Sequence, residues 1–254
     1  MQVHALTVLP DGHRVAIGLH TYRGPTPFGI VVWDTRDAPH MRVVTKSTID
    51  CARGVRALTV ARNGCLVAGC FDDTLCVVDV DAGVVVATLA AHAWTMASLL
   101  DGRVASAGGD GNVRLWDLDT RTCVATLRGH SGSISSLVVM SDGRLASAGW
   151  GYAVRLWDTA TGTCIRVLSG HTNCVHALAV LPDDQLASLS ADGTIRVWNA
   201  RTDAGGVGGS LLARPPLVVD CGGSDLCRAA LAALPGNRLV TGGKCMYVWQ
   251  LPPL

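Results

Sequence analysis

The sequence predicts an all-β fold: a β-propeller of six blades, each an antiparallel sheet of four strands, with the last blade lacking its outer strand. Three observations predict it. The segments RVASAGGDGNVRLWD (103–117), RLASAGWGYAVRLWD (144–158) and QLASLSADGTIRVWN (185–199) align along their whole length. Their tryptophans, Trp116, Trp157 and Trp198, recur at a spacing of 41 residues. Apolar and polar residues alternate in each segment behind turn pairs such as Asp110-Gly111 and Asp192-Gly193, the mark of short strands joined by tight turns. A period of this length holds four strands. One four-stranded sheet cannot bury both faces alone, and radial stacking buries them.

Unit 1 covers about 3–46, with Ile30-Val-Val-Trp33-Asp34 as its third strand and a long loop from Leu19 to Gly29. Unit 2, at 55–89, ends its third strand in Val78-Asp79. Units 3, 4 and 5, at 93–127, 131–168 and 172–220, are the regular ones. In unit 5 the stretch Arg201 to Pro216 reads as a surface loop before a strand at Leu217 to Asp220. Unit 6, at 226–251, has Met246-Tyr247-Val248-Trp249 as its third strand, ending near Gln250, which stands in place of the Asp. One domain of 254 residues and about 23 strands is expected, from six units of four less one. Two readings fit: the ring closes by face packing alone, or the sequence is part of a longer parent or a truncated gene product.

The Gly129-His130 and Gly170-His171 turns precede their tryptophans by 27 residues, and Ala91-His92 precedes Trp116 by 24. With the Trp-Asp pairs, these residues resemble the WD-repeat family over nearly the whole chain. The resemblance implies a hydrogen-bonded tetrad in each blade, made by the turn His, a second-strand Ser or Thr, the next turn's Asp and the third-strand Trp. Carried over, unit 3 gives His92, Ser106, Asp110 and Trp116. Unit 4 gives His130, Ser147 and Trp157, with Gly151 where the Asp belongs. Unit 5 gives His171, Ser188, Asp192 and Trp198. A satisfied buried network fixes one geometry. His, Ser and Asp also compose hydrolase triads, but this set recurs in more than one blade and ends on an indole nitrogen, which has no role in acyl transfer.

Basic residues number 21 and acidic residues 20, so nothing marks a nucleic-acid or anionic-membrane surface. The ten cysteines include no Cys-x-x-Cys pair, and Cys123 and Cys164 are repeat-equivalent, hence on different blades. Reduced cysteines are expected, with no metal and no cofactor. The Met1-Gln-Val-His start has no basic or apolar leader, and no run reaches the length of a membrane span. A soluble intracellular protein, cytoplasmic or nuclear, is expected.

The expected function is a protein-binding scaffold without catalytic residues. Trp94 and Trp150 stand outside the repeat position, and Trp150 with Tyr152 flanks Gly151, so these three aromatics are the candidate partner-binding residues. The central units also resemble F-box/WD-repeat substrate receptors, although no F-box precedes Val3. Trp33-Asp34-Thr35-Arg36 resembles the Trp-Asp-x-Arg box of cullin–RING ligase receptors, and Trp198-Asn199-Ala200-Arg201 resembles it with Asn for Asp. The alternative is a propeller enzyme, a lyase or hydrolase with a central-channel site. Such sites gather carboxylates or histidines, and here the histidines outside the tetrads are scattered.

Overall fold

Runs rich in Val, Leu and Ala with polar residues at alternate positions suit a pleated sheet with packed faces. The computed structural model describes residues 2–20, 29–36, 42–43, 49–50, 54–200, 217–220, 230–236, 238–242 and 246–251. The fold is a six-bladed β-propeller that is nearly all strand. Its residues fall into two compact units, 1–129 and 130–254.

In the first unit, blade 1 holds β1 (Gln2–Val8), β2 (Arg14–His20) and β3 (Gly29–Asp34), with β4 (Arg42–Val43) and β5 (Ile49–Asp50) both paired to β3. Blade 2 holds β6 (Val55–Val60), β7 (Leu66–Cys70), β8 (Thr74–Asp79) and β9 (Val84–Ala90). Blade 3 holds β10 (Thr95–Ser98), β11 (Val104–Ala107), β12 (Val113–Asp117) and β13 (Thr122–Leu127).

In the second unit, blade 4 holds β14 (Ile134–Val139), β15 (Leu145–Gly149), β16 (Val154–Asp158) and β17 (Thr163–Leu168). Blade 5 holds β18 (Val175–Val180), β19 (Gln185–Ser190), β20 (Thr194–Asn199) and β21 (Leu217–Asp220). Blade 6 holds β22 (Ala230–Leu234), β23 (Arg238–Gly242) and β24 (Met246–Gln250). Within a blade the strands are called a to d from first to last.

All six third strands end at the residues expected from the sequence, and the strand at Leu217–Asp220 is present. Blade 6 has three strands among the described residues. The described residues form 24 strands rather than 23, because the outer strand of blade 1 is split into two short pieces. The expected loop at Arg201–Pro216 and most of the Leu19–Gly29 loop lie outside the described residues. A three-residue 3-10 turn at Pro182–Asp184 is the one helical element described, so no described helix is long and apolar enough to cross a membrane.

The core lies between consecutive sheets of each unit. Ile30 and Val32 of blade 1 meet Val55, Leu66 and Val78 of blade 2. Val67, Leu75 and Val77, on the other face of blade 2, meet Val104 and Trp116 of blade 3. In the second unit, Val154 and Leu156 pack with Val175, Leu186 and Trp198, and Leu189 and Ile195 pack with Leu239 and Leu251. Polar links join the same faces: Ser135 Oγ donates to the Val175 carbonyl at 2.5 Å, and the Leu178 N–H donates to Ser136 Oγ at 3.1 Å. The Arg144 guanidinium donates to the Ala200 carbonyl.

Trp157 is 1% exposed, among the largest side chains buried so completely. Trp157→Ala is expected to cost about 3–5 kcal/mol of stability, the range for deletion of a large aromatic from a core. Urea unfolding of the two proteins measures it, and a loss below about 1 kcal/mol contradicts this account of the core.

Candidate functional site

The b–c turns and the d–a loops facing them carry the polar residues singled out in the sequence. Blade 5 shows what a complete set does. In the β19–β20 register Leu186 stands opposite Trp198, so Ser188, two residues on, lies on the same face. Trp198 Nε1 donates to Ser188 Oγ at 2.8 Å, and His171 Nε2 lies 2.7 Å from that oxygen. Asp192 Oδ2 takes His171 Nδ1 at 2.8 Å and the Thr172 N–H at 3.1 Å. Its Oδ1 takes the Thr194 N–H at 3.0 Å and the Thr194 hydroxyl at 2.6 Å.

A carboxylate and an indole N–H leave one assignment for this chain: Nδ1 carries the proton, and the Ser188 hydroxyl donates to Nε2. Burial pushes the His171 imidazole down, against the pull of Asp192. Burial also opposes ionisation of Asp192, but bonds from Thr194 and His171 hold its carboxyl at about 2. The order Asp, His, Ser matches a hydrolase triad. Ser188, however, is 0% exposed and its oxygen already accepts the indole N–H. No substrate reaches it, so the set is a clasp between strands and turn.

Blade 4 keeps half of this clasp. Trp157 Nε1 donates to Ser147 Oγ at 2.7 Å, and His130 Nε2 lies 2.6 Å from the same oxygen. Gly151 stands where Asp192 stands in blade 5. The backbone of the turn is otherwise the same: Tyr152 N–H bonds the Gly149 carbonyl at 3.3 Å, as Gly193 N–H bonds Ser190 at 3.2 Å. The Ala153 N–H, whose counterpart serves the Asp192 carboxylate, bonds the Gly151 carbonyl at 2.8 Å. Burial, with Arg155 adding, pushes the His130 imidazole down to about 4.

Blade 3 departs from the tetrad expected from the sequence. Trp116 Nε1 donates to Ser106 Oγ at 2.9 Å, but His92 and Asp110 do not join it. His92 Nδ1 lies 2.9 Å from Asp73 of the blade 2 turn, and Asp110 pairs with Arg114 at 2.6 Å and with Asn112. Although burial opposes it, Arg114 and Asn112 hold the Asp110 carboxyl at about 2. The cause is loop length. The run from His92 to Trp116 is three residues shorter than its counterparts, which keeps His92 on the rim. In blade 6, Trp249 Nε1 reaches Thr241 Oγ1 at 3.1 Å. In blade 1, Ile17 holds the serine position, and the buried Trp33 Nε1 has no hydrogen-bond partner.

The candidate aromatics differ in their surroundings. Trp94 is half-buried: the Arg56 guanidinium lies 3.8 Å from its ring centre, and its ring packs against Gly108 and Gly109. Trp150 and Tyr152 are 59% and 45% exposed. Their turn is fixed by the bond from Trp150 N–H to the Ser133 carbonyl at 2.8 Å. Tyr152 has φ 65°, where blades 3 and 5 place Gly111 and Gly193. A side chain there costs about 1–2 kcal/mol.

In the Trp33-Asp34-Thr35-Arg36 segment, Arg36 folds back on Asp34, with Nε to Oδ1 at 3.0 Å and Nη2 to Oδ2 at 2.5 Å. Those bonds hold the Asp34 carboxyl at about 2. Asn199 cannot form this ion pair, and Arg201 lies outside the described residues. Sequence reasoning missed Asp73 as the partner of His92 and Arg56 as the cover of Trp94. The shortened unit 3 loop was the available signal for the first, and nothing in the sequence pointed to the second.

The sequence model of the WD domain, G-beta repeat, matches residues 83–117, 121–158 and 162–199. These are the stretches whose sheets, turns and clasps have just been described. The chain thus carries three WD repeats in its central stretch. WD repeats imply a protein-interaction scaffold, in a family that is generally non-enzymatic. A curated protein of Emericella nidulans, described as a probable E3 ubiquitin ligase complex SCF subunit, is 54% identical to this WD-repeat chain over 35 residues. The match covers 14% of this chain and 5% of that protein, so this chain spans a small part of the relative's length.

Two outcomes follow from the clasps. Asp192→Ala leaves a buried His171 N–H unpaired and is expected to cost about 2–3 kcal/mol. Asp110→Ala, at a more exposed ion pair, is expected to cost less than about 1 kcal/mol. Equal losses in denaturant unfolding contradict the clasp reading.

The second outcome concerns pH. Burial holds the His130 imidazole at about 4 in the folded protein, below the ordinary histidine value of about 6.5, so between about 6.5 and 4 the unfolded chain binds the extra proton. Stability is therefore expected to fall on acidification through that window. His130→Gln is expected to flatten the decline, and an unchanged slope in melting temperature against pH contradicts it.

Proposed function

We propose that this WD-repeat protein is a non-catalytic scaffold that captures protein partners on the b–c turn of blade 4. We propose that it serves as a substrate receptor or adaptor in a ubiquitin-ligase-type complex, inside the cell, in cytoplasm or nucleus. The observation that carries the docking site is the display of Trp150 and Tyr152. Two large aromatic rings stand exposed on one turn, with Tyr152 in a left-handed backbone conformation that the turns of blades 3 and 5 give to glycine and that of blade 2 gives to Asp73. Backbone strain of this kind collects at functional sites. The turn is already ordered, so binding loses little conformational entropy there. Trp and Tyr are the anchors that most often dominate interface energies.

The ligase assignment is supported by the 35-residue similarity and by the Trp33-Asp34-Thr35-Arg36 segment. An enzyme reading has less support, because the serines best placed for attack, Ser147 and Ser188, are 0% exposed.

The test is affinity capture from cells with three forms of the protein. The unaltered protein is expected to retain cullin–RING subunits and further partners. Asp34→Ala with Arg36→Ala is expected to lose the ligase subunits. Trp150→Ala with Tyr152→Ala is expected to weaken the other partners by about tenfold or more while changing stability by less than about 0.5 kcal/mol. Absence of ligase subunits from the unaltered protein removes the ligase assignment. Unchanged capture by the aromatic variant removes the docking site.

A further inference from the structure

Blades 2, 3 and 5 each carry an acid at the b–c turn: Asp72, Asp110 and Asp192. Blade 4 has none, and its donors remain. Among the described residues nothing bonds His130 Nδ1, which is an N–H when the Ser147 hydroxyl donates to Nε2, the arrangement that the carboxylate selects for His171 in blade 5. The exposed Ser131 faces the same place. A Cβ on Gly151 would lie 3.4 Å from its N and 2.7 Å from its Oγ. The counterparts in blade 5, His171 Nδ1 and the Thr172 N–H, both bond Asp192 Oδ2. Arg155 adds positive charge. Its counterpart Arg114 pairs with Asp110, whereas Arg155 forms no ion pair among the described residues, and its buried Nε has no partner. Trp150 and Tyr152 flank the position on either side of Gly151.

We infer that the blade 4 turn receives a carboxylate from its protein partner: an Asp or Glu flanked by apolar residues bonds His130 Nδ1 and the Ser131 N–H, while the flanking residues cover Trp150 and Tyr152. The inference rests on the docking site proposed above and names the chemistry it selects. Blade 5 supplies the geometry, since the same donors there already hold a carboxylate. The Ser131 hydroxyl, at the end of a rotatable side chain, turns to admit the carboxylate and adds a third donor. Position is set by the aromatic rings, and specificity by donors that a neutral side chain leaves unsatisfied.

A random-peptide display library selected on the purified full chain tests this. Recovered peptides are expected to carry one Asp or Glu among apolar residues. Synthetic forms with Asn or Gln in its place are expected to bind about tenfold to a hundredfold more weakly in calorimetry. Gly151→Asp, which supplies the carboxylate from the chain itself, is expected to weaken the acidic peptide by a similar factor and to leave the neutral form nearly unchanged. That non-additivity identifies one shared site.

In the unaltered protein, the Nδ1 resonance of His130 is expected to shift with the acidic peptide and not with the neutral one, a readout independent of how well the variant folds. Peptides that need Trp150 and Tyr152 but show no acid dependence, and leave Nδ1 unmoved, overturn the inference and spare the docking site. Recovery of no peptide, or of peptides indifferent to Trp150→Ala with Tyr152→Ala, overturns both.

Discussion

The bond from a third-strand indole N–H to a second-strand hydroxyl is the interaction on which the central blades depend. Trp116, Trp157 and Trp198 each make it at 2.7 to 2.9 Å, to Ser106, Ser147 and Ser188, which are all 0% exposed. In the central blades a large ring fills the space between packed sheets, and an indole brings one polar group that has to be satisfied there. The serine answers it from the neighbouring strand. In doing so it sets the register of the two strands and aims its own hydrogen outwards, towards the rim. Whatever stands on the rim is then built onto a donor chain that starts in the core.

The blades differ in how far that chain runs. In blade 5 it passes through His171 to Asp192 and on to two further donors of the turn, so the turn is locked to the core. In blade 4 it stops at His130, and in blade 3 it stops at Ser106. In blade 1 it never starts, since Ile17 offers Trp33 no acceptor. The chemistry of the turns differs accordingly. The full chain of blade 5 ends on a spent carboxylate, and the turn of blade 3 keeps Asp110, bound to Arg114 instead of to the chain. The turn of blade 4, with no acid, is left with donors.

The fold was legible because strand period, turn pairs and the tryptophan spacing all point to one register. The ends of β8 at Asp79 and of β24 at Gln250 follow from alignment alone, although neither repeat is regular. The clasps were legible only where loop length was conserved between units. His171 and Asp192 meet because the unit 5 loop has the common length, whereas His92 is carried to Asp73 by a loop three residues shorter. Alignment matches residue types and is blind to such a displacement. The exposure of Trp150 was likewise legible from its place in a turn. That of Trp94 was not, because Arg56, which lies over its ring, comes from the preceding blade.

Each sheet is made of strands consecutive along the chain, and within each unit the apolar faces of neighbouring blades close on one another in sequence order. This ordering bears on how the protein is made. A blade can form its hairpins as soon as its residues leave the ribosome, with only short loops to close. It cannot dry its second face until its successor is synthesised, so during translation an exposed apolar face travels along the nascent chain one repeat at a time. Such one-dimensional propagation is characteristic of repeat proteins, and the interval between blades is when the growing chain is most open to misassembly.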